Sequence, residues 1–300
     1  MKLHIGKKNT LKDQIFDYTN VMVMLIIGFL TLYPIWYTLV LAFNDGQDSM
    51  LGGIYWLPRK FTFDNFKAIF ENKAIYTAFG VTVARTFTAT SVHVFFTAMI
   101  AYAFSKKQLL GRKIYLALGT VSLFFNGGLI PVYLLYRNLG LVNNFLVYIL
   151  PGMFSFYNLI IFTSFFRTIP YGLEESAKID GANDFMIFAR IILPLSKPVL
   201  ATIALFVGVY NWNDFFMGVI YMNNPSLQPI QTFMLKIIAQ NSEANEIMRG
   251  IPTDIQESTG ITSRSVSMAT MFVTVAPIMA IYPFLQKYFV KGLLMGSIKG

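Results

Sequence analysis

Six stretches of the chain are apolar for about 20 residues, the length a helix needs to cross a bilayer. They lie at roughly 20–43, 77–103, 114–136, 144–166, 198–222 and 267–290. Composition agrees: of 300 residues, 55% are hydrophobic and 13% charged, and mean hydropathy is +0.55. A soluble domain carries about 25% charged residues, because its surface must face water. The expected fold is therefore all-α and integral to the membrane, one membrane domain over residues 1–300. The first stretch is longer than a signal-peptide core and no A-x-A site follows it, so it reads as a retained span. The third is interrupted by Gly127, Gly128 and Pro131. Such breaks survive at membrane depth where protein or water satisfies the freed backbone groups.

The basic balance, +9 at neutral pH, divides by topology. With the N-terminus cytoplasmic, segments 1–19, 104–113, 167–197 and 287–300 lie inside and hold 15 Lys and Arg. Segments 44–76, 137–143 and 223–266 lie outside and hold 8. Orientation follows this asymmetry, which predicts a multi-pass protein with both termini cytoplasmic. Nucleic acid needs no part in explaining the charge. The chain has no Cys and only two His, which excludes disulfides, thiolate chemistry and a His-built zinc site. It also has no G-x-S-x-G nucleophile elbow. A membrane enzyme is accordingly disfavoured.

The cytoplasmic segment 167–197 is too long and too apolar for a plain connection. Pro170 suits the first turn of a helix, and Glu174 and Glu175 suit its positive end. Leu173, Ala177 and Asp180 share a helical face by spacing, and Gly181 supplies a turn. A second short helix over about 184–191 carries Phe185, Phe188 and Ile192 at i, i+3, i+7. Pro194 and Pro198 are expected to break the chain before the fifth span. The expected product is a helix-turn-helix elbow that offers an apolar surface to a partner protein.

Glu175-Ser176-Ala177, then Gly181, then Ile191-Ile192-Leu193-Pro194 resembles the E-A-A-x3-G-x9-I-x-L-P motif of ABC importer permeases. Ser176 stands where the motif has Ala, a small-for-small change. The resemblance covers most of the chain. It includes Phe61 to Phe66, Phe125 to Pro131, Asn138 to Asn143, Tyr282 to Gly292 and Gly296 to Gly300. It is strongest toward the carbohydrate, maltose-permease-like branch, in the subgroup importing alginate- or pectin-type oligosaccharides.

The resemblance implies a type I importer permease in the bacterial inner membrane. The elbow would couple to a separate ATPase through Glu174, Glu175, Ser176, Ala177, Asp180, Gly181, Ile191, Leu193 and Pro194. Glu174, Glu175 and Asp180 would accept from basic residues of that ATPase, and Ala177 and Gly181 would allow close approach. The implied partners are a paralogous second permease, two ATPase subunits, an extracytoplasmic solute-binding protein, membrane lipid and the sugar. No ATP-cradling G-x-x-x-x-G-K-[ST] occurs in the sequence, so ATP and magnesium would be bound by the ATPase. The tail from Lys291 to Gly300 fits two roles, contact with the ATPase or a charge that fixes topology. The 223–266 loop is the candidate contact for the solute-binding protein.

Polar residues inside spans are costly and invite functional readings. Span two carries Thr82, Thr86, Thr90, His93 and Thr97 as one stripe, flanked by Arg85. Span five carries Tyr210, Asn211, Asn213 and Asp214. Arg85, Thr86, His93, Tyr210, Asn211, Asn213 and Asp214 are candidates to line a sugar path. The alternatives are structural: Thr hydroxyls bonded to their own helix, an Arg85–Asp214 ion pair, and a hydrogen-bonded His93. Other classes are an ABC permease for a non-sugar solute and a stand-alone ion-coupled transporter. The latter leaves the elbow motif unexplained.

Overall fold

The computed structural model describes residues 11–125, 127–248, 262 and 264–280, with side chains to 239 and from 262. Regular structure among them is helical. The helices are α1 (Leu11–Ala42), α2 (Gly46–Met50), α3 (Asp64–Glu71), α4 (Lys73–Ser105), α5 (Arg112–Phe124) and α6 (Leu129–Asn138). They continue with α7 (Phe156–Phe166), α8 (Gly172–Ile179), α9 (Asp184–Leu195) and α10 (Lys197–Asn213). The last are α11 (Phe216–Tyr221), α12 (Ile230–Met248) and α13 (Arg264–Ala280).

By length and composition, α1 and α4 can each cross a membrane alone. The pairs α5–α6 and α9–α10 pass the same test only as bent units. Several expected spans are thus interrupted. The fourth, read as a helix over 144–166, is helical only from Phe156. Before it lie a 3-10 turn, Phe145–Tyr148, and a turn through Pro151 and Gly152. Apolarity over 20 residues measured burial in an apolar medium there, not helical continuity. The fifth, read as 198–222, stops at Asn213 and resumes as α11. The 223–266 loop is partly helical, through α12. Of the sixth, residues 281–290 lie outside the described residues, as does the tail to Gly300.

The chain divides into two compact units, residues 1–71 with 240–273, and residues 72–239 with 274–300. In the first, a polar knot closes the end of α1. Buried Asn65 on α3 donates to the carbonyls of Ala42 (2.9 Å), the last residue of α1, and of Asn44 (2.8 Å), two residues beyond it. Asn44 Oδ1 in turn accepts from the backbone N–H groups of Arg59 (2.7 Å) and Lys60 (2.8 Å). Asp48 accepts from Asn44 (3.0 Å) and from Arg59 Nε (2.9 Å). Phe43, Phe61, Phe63 and Phe66 cluster around this knot. Much of α1 itself, from Leu11 to Trp36, presents apolar side chains outward.

In the second unit, α4 is the central element. Its Ala98 and Ala101 are fully buried, and such small residues let helices approach closely. Leu159, Phe162 and Phe166 of α7 pack there, with Ile187, Phe188 and Ile192 of α9 and Val199 and Ile203 of α10. On α5, Gly119 lies against the Phe156 ring, where a Cβ would collide.

The hydrogen bond from Asn44, and next that from Arg59, hold the Asp48 carboxyl below the ordinary carboxylate range. A depressed folded pKa gives stability that is fully present above the unfolded value and lost as pH falls through the folded one. Asp48→Asn is therefore expected to unfold more easily than wild type at pH 7. Thermal unfolding at stepped pH should show that gap closing as acidity reaches the carboxylate range. A gap that stays constant would exclude the linkage.

Candidate functional site

The polar stripe on α4 meets backbone that has lost its helical partners. His93 is buried, with Nδ1 at 2.6 Å from the Gly152 carbonyl and Nε2 at 2.8 Å from Asn158 Nδ2. Those partners place the proton on Nδ1, which donates to Gly152, while Nε2 accepts from the amide. Both nitrogens are thereby used by the fold. Thr97 donates to the Met153 carbonyl at 3.4 Å. Thr82 donates to Ala78 of its own helix at 2.9 Å and accepts from the Ile230 N–H at 2.7 Å, at the start of α12.

Arg85 is almost wholly buried and forms an ion pair with Asp214. It also donates to the Asp214 carbonyl at 3.0 Å and lies over the Tyr148 ring, 4.5 Å from its centroid. Asp214 sits where α10 ends, and its Oδ1 accepts from the Phe216 N–H (3.1 Å) at the start of α11. Arg85 thus binds both the charge and the freed backbone of the break in span five. Asn211 and Asn213 donate to carbonyls four residues back on α10, each at 2.9 Å. Tyr210 is 69% exposed. Thr86 and Thr90 bury hydroxyls with no partner among the described residues, and Thr90 lies 3.7 Å from the Cβ position of Gly208.

The seven path residues chosen from the sequence therefore separate. Arg85, His93 and Asp214 hold broken backbone together. Asn211 and Asn213 satisfy their amides locally. Tyr210 presents its ring outward, and Thr86 keeps an uncommitted hydroxyl. Asn143 was not singled out for this role, yet it does similar work. In a left-handed conformation (φ 62°), its side chain accepts from the N–H groups of Asn223 (3.2 Å) and Asn224 (2.8 Å). An Asn three residues after a Gly in an apolar context was the available signal.

The elbow is α8, a turn and α9. Glu174 is buried and pairs with Lys106 at the end of α4. Lys106 also donates to the Tyr102 hydroxyl at 2.7 Å. Gly181 has φ +83°, and the Ala182 N–H reaches back to the Ala177 carbonyl (2.9 Å) while the Gly181 N–H reaches Lys178 (3.0 Å). This pair of bonds closes the helix C-terminus around a left-handed residue, which favours Gly. Asn183 then caps α9 by accepting from the Met186 N–H at 2.8 Å. Lys178 meets Asp184 at 3.2 Å across the turn, and that hydrogen bond raises the Lys178 pKa.

Three details depart from the sequence expectation. Ala177 packs against the core, so its small size serves this chain's own packing. The buried face of α8 is Glu174 and Ala177, with Leu173 and Asp180 exposed. Pro194 does not break the chain: α9 runs through it after a π-helical stretch, Phe188–Ile192. Wider turns accommodate a residue that cannot donate. The 82° bend falls instead at Ser196, and Pro198 sits in the first turn of α10. The wider turn brings Ile187 and Ile192 to the buried face with Phe188, and Phe185 is exposed. Glu175, Ser176, Asp180, Gly181 and Pro194 are exposed, and Ile191 and Leu193 are half-buried. Ser176 donates to the Gly172 carbonyl at 2.9 Å.

Breaking a buried ion pair from one side costs about 3–5 kcal/mol, because the other charge stays buried and unpaired. Arg85→Gln and Asp214→Asn are each expected to lower stability on that scale. The double variant should recover much of the loss in a thermal-unfolding cycle. Additive losses would show that the two charges do not stabilise one another.

Comparison with known proteins bears on what this arrangement serves. The chain is 36% identical over 298 residues to Protein LplC of Bacillus subtilis (strain 168), covering 97% of each. It is 35% identical to the polygalacturonan/rhamnogalacturonan transport system permease protein YtcP of the same organism, covering 97% of this chain and 100% of that one. Its fold is similar to a chain in the crystal structure of a bacterial ABC transporter involved in the import of the acidic polysaccharide alginate. The TM-score is 0.84 at 28% identity, over 95% of this chain and all of the other. A family model described as binding-protein-dependent transport system inner membrane component matches residues 7–294. With its bent spans and its exposed elbow, the chain belongs to that family of transport permeases.

Proposed function

We propose that this chain is one of two paralogous permease subunits of an ATP-driven importer for oligosaccharides of the acidic, pectin- or alginate-derived kind. Two separate ATPase subunits would hold ATP and magnesium and dock on the elbow. An extracytoplasmic solute-binding protein would deliver the sugar, and both termini of this chain would be cytoplasmic. The observation that carries the coupling role is the elbow itself. Its inner face is fixed by the Glu174–Lys106 pair and Ala177, and its outer face presents Glu175, Ile179 (86% exposed), Asp180 and Phe185. A rigid base with an outward apolar and acidic surface suits a docking element better than a tether. The substrate class is supported by the permeases named above, which concern polygalacturonan, rhamnogalacturonan and alginate.

Within this reading the sugar contacts differ from those the spacing favoured. Arg85 has its charge neutralised by Asp214, which leaves it poorly placed to select a uronic acid. Tyr210 and Asn213 are exposed, and we assign them to the half of the path that the second permease completes. Tyr210 offers a ring face for stacking on a sugar.

The test is uptake by the assembled transporter. A Cβ at Gly181 meets nothing within 4 Å, so the position is constrained by its φ and not by space within the chain. Gly181→Asp is expected to leave membrane levels near wild type and to abolish saccharide-stimulated ATPase activity and uptake. Gly181→Asn, which tolerates left-handed geometry as Asp does but adds no charge, should retain part of both. Full coupling in Gly181→Asp would remove the elbow from the mechanism. Stimulation by neutral and acidic oligosaccharides alike would remove the acidic substrate class.

A further inference from the structure

A cleft of about 660 Å3 opens between the ends of α4, α5 and α7 and the start of the elbow. Lys106, Lys107, Arg112, Arg167 and Lys178 line it, against a single carboxylate, Glu174. Two of these cations are already matched, Lys106 by Glu174 and Lys178 by Asp184. Lys107, Arg112 and Arg167 have no carboxylate within 4 Å among the described residues. The Arg112 Nε is sealed from solvent and has no hydrogen-bond acceptor among them. Cations gathered at a surface normally repel one another and turn to water. A buried guanidinium N–H without an acceptor is costly unless something supplies one.

A second feature points the same way. Arg112 opens α5, a helix of 13 residues whose preceding Gly111 is left-handed and provides no side-chain cap. Its Arg112 and Ile114 N–H groups bond the Leu109 and Gly111 carbonyls, and the positive end of the helix dipole adds to the field of the cleft. An apolar part of the wall comes from Phe166, Ile169 and Pro170, in the same run of chain as Arg167. Cations beside an apolar wall, at the ends of helices that enter the membrane, match the two halves of a phospholipid: a phosphate and a glycerol backbone with its chains.

We propose that this cleft binds a phosphate group, which bridges the α4–α5 turn to the base of the elbow. A phospholipid headgroup and free phosphate share that chemistry. Only the side of the membrane rests on the transport reading above; binding itself is measured without transport or an ATPase, so the two can fail separately.

The test uses the full chain. It is reconstituted in vesicles of phosphatidylglycerol and phosphatidylcholine, and native mass spectrometry counts the phosphatidylglycerol that remains bound. In parallel, inorganic phosphate is titrated into the chain in pure phosphatidylcholine nanodiscs. Retention of phosphatidylglycerol without phosphate binding identifies a lipid site, and saturable phosphate binding identifies a free-anion site. Lys107→Gln/Arg112→Gln/Arg167→Gln should weaken whichever is seen by at least roughly tenfold, the scale of one charge-assisted hydrogen bond. Arg137→Gln/Arg190→Gln, outside the cleft, should leave it unchanged. Helical content by circular dichroism checks that the triple variant is folded, and Arg167→Gln alone should give a several-fold loss if it is not. The proposal is overturned if neither probe binds saturably, or if the cleft variants and the control bind alike.

Discussion

An unpaired backbone group has no water to turn to inside a bilayer, and the second unit of this chain is arranged around that constraint. Spans that break at Gly152 and Asp214, and a helix that starts at Ile230, all free backbone polar groups. The unbroken helix α4 answers them from its own side chains: His93 and Thr97 for Gly152 and Met153, Arg85 for Asp214, Thr82 for Ile230. Thr82, Arg85, His93 and Thr97 on this face of α4 are therefore matched to irregular neighbours, while the Thr86 and Thr90 hydroxyls have no partner among the described residues.

The elbow is connected to the same helix. Glu174 is tied to Lys106 at the end of α4, and Tyr102 of α4 lies under the same ammonium group. Well inside α4, Arg85 ties the helix to the break in span five. One helix thus meets two ion pairs, one at its C-terminal end to the elbow and one along its length to the place where α10 stops. Any displacement of the elbow therefore meets α4 through the Glu174–Lys106 contact.

The helical class and the membrane setting were legible because apolar runs report the medium a segment faces. The elbow was legible because its punctuation is chemical: Pro170, Gly181 and Asn183 each do a job that few residues can do. Helical continuity was less legible. Residues 145–155 are as apolar as a helix in lipid, and only their tertiary partners on α4 permit the turn at Pro151 and Gly152. Pro194 misled for a related reason, since a π-helical stretch absorbs it and moves the bend to Ser196. The roles of Arg85 and His93 were divided between path and scaffold by their contacts. The spacing that put them on one helix face could not show what that face meets.

The exposure of α1 has its own consequence. A helix of 32 residues with so little buried surface owes its place to lipid and to whatever it later meets, and little to this chain's core. Its backbone is satisfied internally, so it can enter the bilayer as a finished element before the rest of the chain is made. The polar knot at its far end, where Asn65 closes the last turn, then becomes the tether that holds an independently inserted helix in register with α3.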